Sequence, residues 1–225
     1  MDVKITWLGH SAFLIDFDHY KVLLDPFLTG NSNAAIPAKK AEADLILVSH
    51  GHSDHVGDAI EISNRCHAPI LCNFELSNWF AKHGAVNTMP IYVSGTRAFP
   101  FGTVRATIAV HGSGTPDGTY GGLALGFILA THDQQKKIYF AGDTGVFSEM
   151  SLIGEDAVDV ALLPIGDVFV MGLSESIRAL KMIRPKNVIP MHYDPGLNLE
   201  GWKREVIETS GAKPIILRSG ESFDL

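Results

Sequence analysis

Residues 45–55, LILVSHGHSDH, pass from an unbroken apolar run into three histidines and an aspartate packed within six residues. A short continuous apolar run reads as a strand covered on both faces, with the polar cluster at its exit. Strand exits are where α/β proteins gather ligands and catalytic groups. Imidazole and carboxylate together suit zinc, manganese, iron or nickel. His50 and His52, one residue apart, can converge on one ion, and Asp54 and His55 can meet a second. Two-metal hydrolytic sites hold their ions roughly 3.5–4 Å apart, a span that six residues of a tight loop can bracket. A solvated loop has no physical reason to concentrate imidazoles, so this run predicts a metal site.

The rest of the chain supplies the frame. VKITW (3–7), AFLIDF (12–17) and KVLLD (21–25) predict short strands separated by turns at Gly9–His10 and Asp18–His19. VGDAIEISNRC (56–66) carries apolar residues at helical spacing. PILC reads as a strand, and ELSNWFAKHG as a helix closed by Gly84. Strand signal returns over 104–111, 123–130 and 136–142. Strand and helix then alternate: DVALLP, SESIRALKMI stopped by Pro185, NVIP, LEGWKREVIETSG and PIILR. Strand-rich halves followed by alternation predict an α/β protein of four layers, two sheets with helices outside. No linker or repeat interrupts the chain, so 225 residues are expected to form one domain, 1–225.

A formal net charge of −7 argues against a nucleic-acid partner, because phosphate binding draws on clustered Lys and Arg. Cys66 and Cys72 form no disulfide framework and no CxxC pair, which suits a reducing compartment. The sequence shows neither a signal-peptide pattern nor an apolar run near the ~18 residues that span a bilayer. A cytoplasmic protein without membrane contact is the expectation. A homo-oligomer is compatible with all of this.

A six-residue loop cannot complete two coordination spheres, so further ligands are expected at other strand ends. His111 closes TIAVH, Asp143 follows KIYFAG, and His192 follows VIPM. Each is a polar residue at the exit of an apolar strand, where burial without a partner is costly. Singly, each is better read as a hydrogen-bonded strand end or turn residue. Beside the 50–55 cluster, the three become candidate ligands together.

These motifs in this order resemble the metallo-β-lactamase superfamily. WLGHSAFLI, LLDPFLTGN, YGG, AGDTGVFSEM, LLPIGD and PMHY look like its small, stand-alone metal-dependent hydrolases, related to the L-ascorbate-6-phosphate lactonase and the phospholipase D of N-acyl phosphatidylethanolamine. The resemblance implies an αββα sandwich with metal at one edge, between the sheets, and it does not imply β-lactam hydrolysis. It assigns His50, His52 and His111 to one ion, Asp54, His55 and His192 to a second, and Asp143 to a bridge. It implies one or two divalent ions, zinc foremost, with manganese, nickel or iron as alternatives. His10 and Asp25 are expected near the site, His10 touching substrate or a ligand and Asp25 bonding the backbone of the 50–55 loop. Met171 is expected in the core. His19, His67, His83 and His132 carry no expected role. IYVSG (91–95) and YDPGLN (193–198) depart from the family pattern where the cleft is expected.

The function expected is hydrolysis by metal-activated water of a small ester, lactone, thioester or phosphodiester, with Asp54 and Asp143 as the catalytic carboxylates. The alternatives are a nuclease-type phosphodiesterase, disfavoured by the acidic balance, and a metal-binding sensor without turnover.

Overall fold

The computed structural model describes residues 1–225. Strands β1 (Val3–Gly9), β2 (Ala12–Phe17), β3 (Tyr20–Leu24), β4 (Leu45–Leu47), β5 (Ile70–Cys72) and β6 (Thr88–Pro90) build one sheet. Strands β7 (Thr96–Phe99), β8 (Gly102–Ile108), β9 (Leu125–Thr131), β10 (Lys137–Phe140), β11 (Val160–Pro164), β12 (Asn187–Met191) and β13 (Lys213–Pro214) build the other. A last strand, β14 (Ser222–Asp224), returns to the first sheet and pairs antiparallel with β1. Helices α1 (Ser53–Val56), α2 (Ala59–Cys66) and α3 (Phe74–Lys82) follow strands of the first sheet, and α4 (Met150–Gly154), α5 (Leu173–Ile183) and α6 (Glu200–Ser210) those of the second.

Three apolar layers hold these elements. Alternate residues of the two sheets meet in a central core, where Phe17 of β2 stacks on Phe101 at 4.1 Å between ring centroids and Phe13 meets Phe140 of β10 edge-on at 6.4 Å. The opposite face of the first sheet buries Ile46 and Ile70 against Ile62 of α2 and Leu76 and Phe80 of α3. That of the second buries Tyr139, Ala161 and Val188 against Ile177 and Leu180 of α5 and Trp202 of α6. Trp202 Nε1 also donates to Ser176 Oγ at 2.8 Å, joining α6 to α5. The expected four-layer αββα sandwich is the observed one. Met171 lies in the helical side of this core, as its sequence context suggested.

Strand direction explains where the polar residues go. β1 is antiparallel to β2 and β2 to β3, while β3 and β4 run parallel. β8 and β10 are both antiparallel to β9, and β10, β11 and β12 are parallel. The C-terminal ends of β1, β3 and β4 therefore share one edge of their sheet, and those of β8, β10 and β12 share one edge of theirs. His10, Asp25, His50, His111, Asp143 and His192 lie just beyond these six ends.

Several elements differ from the sequence reading. The helix expected over 56–66 begins only at Ala59, and a separate short helix, α1, forms within the segment read as a loop. Gly57 divides them, its φ of +40° bringing it against the chain at Pro26, where a Cβ would lie 2.4 Å from Pro26 O. Of PIILR only Pro214 lies in a strand, because the chain leaves the sheet to reach β14. β6, β7 and β14 are edge or near-edge strands of three or four residues, too short for a periodic signal. No helix is long and apolar enough to cross a membrane.

Phe101 is buried completely at the sheet interface. Phe101→Ala is expected to cost about 3–5 kcal/mol, read as a lower urea midpoint with unchanged slope. A loss under ~1 kcal/mol would contradict the packing described here.

Candidate metal centre

The two sheet edges bring together side chains far apart in sequence. His50 Nε2 lies 2.9 Å from His52 Nδ1, and His52 Nδ1 lies 3.3 Å from His111 Nε2. A second group collects around Asp54: His10 Nε2 at 3.1 Å, His192 Nε2 at 3.7 Å and His55 Nε2 at 3.8 Å, all measured to Oδ2. Asp143 stands between the groups. Its Oδ2 is 3.1 Å from His192 Nε2, 3.2 Å from His55 Nε2 and 3.7 Å from His111 Nε2. All seven residues of the sequence-based ligand set thus meet at one edge, with His10 beside them. His19, His67, His83 and His132 lie elsewhere, at turns and element ends.

One buried carboxylate organises both groups. Asp25 Oδ1 accepts from the Ser49 amide at 2.7 Å, and Oδ2 accepts from Ser49 Oγ at 2.5 Å and from His55 Nδ1 at 2.7 Å. Ser49 gives its only hydroxyl proton to Asp25, so its oxygen must accept the Nδ1–H of His50, 2.9 Å away. Both His50 and His55 therefore hold a proton on Nδ1 and present Nε2 to the site, the orientation that neighbouring hydrogen bonds impose on metal-binding imidazoles. Asp25 was expected to bond the backbone of the 50–55 loop. Its backbone bond falls instead one residue earlier, at Ser49, because its second oxygen is directed to the His55 ring.

The backbone is strained at the same place. His10, Asp25 and His192 have φ of +54°, +38° and +52°, the left-handed region that costs free energy in a residue other than glycine. Gly142, at φ +61°, makes the turn into Asp143; a Cβ there would lie 2.6 Å from Leu125 O and 2.9 Å from Ser49 Cβ. Ser113 Oγ accepts from the Gly51 amide at 3.1 Å and so docks the loop after His111 onto the histidine-rich turn. Ser49 and Ser113 were not singled out from sequence; their position beside His50 and near His111 was the only available signal.

Electrostatics follow from this crowding. Burial disfavours charge on Asp143, yet the charge on His55 and the close approach of His192 hold its carboxyl well below the usual carboxylate range. Asp54 is held low in the same way, against burial, by His10 and His192. Burial also opposes protonation of His55 and His192. Asp143 and Asp25 nevertheless raise His55, and the neighbouring carboxylates of Asp143 and Asp54 push His192 up to about 9. His50 moves down, through burial and the His55 charge.

A cation suits this donor set. His55 Nε2 and Asp143 Oδ1 are buried without a hydrogen-bond partner, a costly condition. Imidazole nitrogens and carboxylate oxygens are the ligands borderline divalent ions take.

Residues 20–193 match the beta-lactamase superfamily domain. The chain belongs to the metallo-β-lactamase superfamily. It is 44% identical over 192 residues to a UPF0173 metal-dependent hydrolase of Thermus thermophilus, covering 85% of this chain and 84% of that one. With a UPF0173 metal-dependent hydrolase of Pelotomaculum thermopropionicum it shares 42% identity over 232 residues, covering 99% and 100%. Igni18, a metallo hydrolase of Ignicoccus hospitalis, superposes with a TM-score of 0.89 at 31% identity, covering 100% of this chain and 99% of its own. The chain is accordingly a metal-dependent hydrolase.

Asp25→Asn is expected to weaken metal retention about 10–100-fold, because one carboxylate orients imidazoles in both groups. Competition with a graded chelator measures it. Retention equal to that of the parent protein would refute the organising role of Asp25.

Proposed function

We propose that the hydrolase binds one or two divalent ions at this edge, zinc foremost, and hydrolyses a small-molecule ester, lactone, thioester or phosphodiester. His50, His52 and His111 would hold one ion, and Asp54, His55 and His192 the other, with Asp143 shared between them. The whole chain, 1–225, would act as one such unit. The observation that carries this reading is the position of Asp143 Oδ2, within 3.7 Å of an imidazole nitrogen from each group.

A bound divalent ion lowers the pKa of a coordinated water and polarises the oxygen under attack. The chain's own residues supply the rest. Asp25 and Ser49 fix the imidazole orientations, so little reorganisation is needed when substrate arrives. Asp54 is the most exposed of the site carboxylates, and all its contacts run through Oδ2. Its Oδ1 is left to orient the attacking water and accept its proton. His10 donates to Asp54 Oδ2 and steadies that carboxylate.

Asp143→Asn and Asp54→Asn are each expected to abolish chelator-sensitive turnover of ester and phosphodiester probes while leaving the circular-dichroism spectrum unchanged. Full activity of metal-replete Asp143→Asn would refute the shared position. Turnover confined to RNA would favour the nuclease alternative, and stoichiometric metal without turnover of any probe would favour a sensor. Elemental analysis of the purified protein identifies the ion.

Cation binding should also release protons. Below pH about 9 the metal-free protein carries a proton on His192, and a cation must displace it. Affinity should therefore fall as pH falls, about tenfold per unit for each proton displaced. Calorimetry in buffers of different ionisation enthalpy counts the protons; affinity that stays constant between pH 8 and pH 6 would exclude His192 as a ligand.

A further inference from the structure

Between β11 and α5, residues 167–170 form a short loop pinned at both ends to the metal centre. At its start, Gly166 packs so closely on His192 that a Cβ would lie 2.0 Å from His192 O. At its end, the Met171 amide donates to Thr144 O at 3.1 Å, one residue from Asp143. Four residues between such anchors cannot leave the neighbourhood of His192 and Asp143.

Hydrogen bonds close the loop on itself, and its tip is apolar. Asp167 Oδ1 accepts from the Val168 amide at 2.8 Å, and the Asp167 amide donates to Met171 O at 3.1 Å. Met171 is buried in the helical core and anchors the turn. Asp167 and Val168 have φ of +64° and +56°. For a β-branched residue such as Val168 this is a true outlier, and strain of this kind collects at binding and catalytic sites. The strained turn directs two large apolar residues outward: Val168 is 84% exposed and Phe169 75%. Val110, 53% exposed, adjoins the same segment from the His111 side. Its amide donates to Thr144 Oγ1 at 2.9 Å, and its carbonyl accepts from the Gly145 amide at 3.1 Å. Two segments with exposed apolar residues are thus bonded to the 144–145 backbone that follows Asp143, and the charged groups paired within the centre are histidines and aspartates. Phosphate recognition characteristically adds Arg or Lys; none of the ion pairs at this centre includes either.

We propose that Phe169 and Val168, together with Val110 on the His111 side, form an apolar shelf that binds an aliphatic or aromatic substituent beside the scissile bond of a neutral carbonyl ester, lactone or thioester. The inference rests on the hydrolytic reading of the site and narrows its substrate class. In the reaction, water oxygen bonds to the carbonyl carbon, the bond from that carbon to the leaving oxygen or sulfur breaks, and a proton passes to the leaving group. The shelf fixes the substituent so that this carbon faces the site.

The test compares methyl acetate with methyl hexanoate and hexyl acetate, which lengthen the ester on either side of its carbonyl. In the metal-replete protein, one of the longer esters should exceed methyl acetate about tenfold or more in kcat/KM. In Phe169→Ser that ratio should fall to within about twofold of one. Val168→Gly should also lower the ratio, with a thermal midpoint no lower than the parent's, because glycine tolerates the left-handed turn. Calorimetry gives a second reading without turnover: hexanoate or hexanol should bind more tightly than acetate or ethanol to the parent protein and not to Phe169→Ser.

Chelator-sensitive ester turnover with no length preference would overturn the shelf and leave the hydrolytic reading standing. Absence of turnover with every probe would overturn that reading, while calorimetry still decides the shelf: equal or undetectable binding of the long and short compounds overturns it. A change of oligomeric state in Phe169→Ser by light scattering, with the length preference intact, would assign the loop tip to contact between copies of the chain and equally overturn the proposal.

Discussion

A buried carboxylate, Asp25, meets the hydroxyl of Ser49 and the ring of His55 in the interior of this protein, and the geometry of the metal centre depends on that contact. A carboxyl group with no exposed surface is tolerated only when its oxygens are satisfied, and here three donors satisfy them. Because Ser49 relays the bond to His50, the same side chain sets the proton position on one imidazole from each group. The sandwich supplies the premise. β3 and β4 are parallel neighbours, so Asp25 at the end of one lies beside Ser49 and His50 at the end of the other.

The centre illustrates how strain and electrostatics cooperate. Left-handed φ at His10, Asp25 and His192 would each destabilise an isolated loop. The bonds that depend on them include His55 Nδ1 to Asp25 and His10 Nε2 to Asp54, both between groups that can carry charge. Such bonds are roughly twice as strong as neutral ones, which offsets the backbone cost. The frame around them is tightly packed: glycine at 142 lets the chain before Asp143 pass closer to Ser49 than any side chain there would allow.

Much of this is legible in the sequence. The run HGHSDH advertises its chemistry because imidazole clusters have few other uses, and His111, Asp143 and His192 stand out where apolar strands end. The four layers followed from strand signals in both halves and amphipathic segments such as SESIRALKMI. Other features were not readable, for physical reasons. Ser49 is an ordinary hydroxyl until its neighbours are known. The break at Gly57 depends on contact with Pro26, thirty-one positions away, which local periodicity does not register. The three-residue strands β6 and β14 owe their existence to partners rather than propensity. Val168 and Phe169 would pass in sequence for core residues; only the fold shows them turned to solvent.

The candidate ligands divide between the sheets. His50, His52, Asp54 and His55 extend from the first, and His111, Asp143 and His192 from the second. Any ion gripped by both sets becomes a rivet through the seam of the sandwich, loading the two slabs against each other where Phe17 and Phe101 already adhere. Resistance to unfolding would then rise with the free concentration of that ion, by mass action, and the same inventory of metal in the surroundings would govern both how long the protein lasts and whether it works.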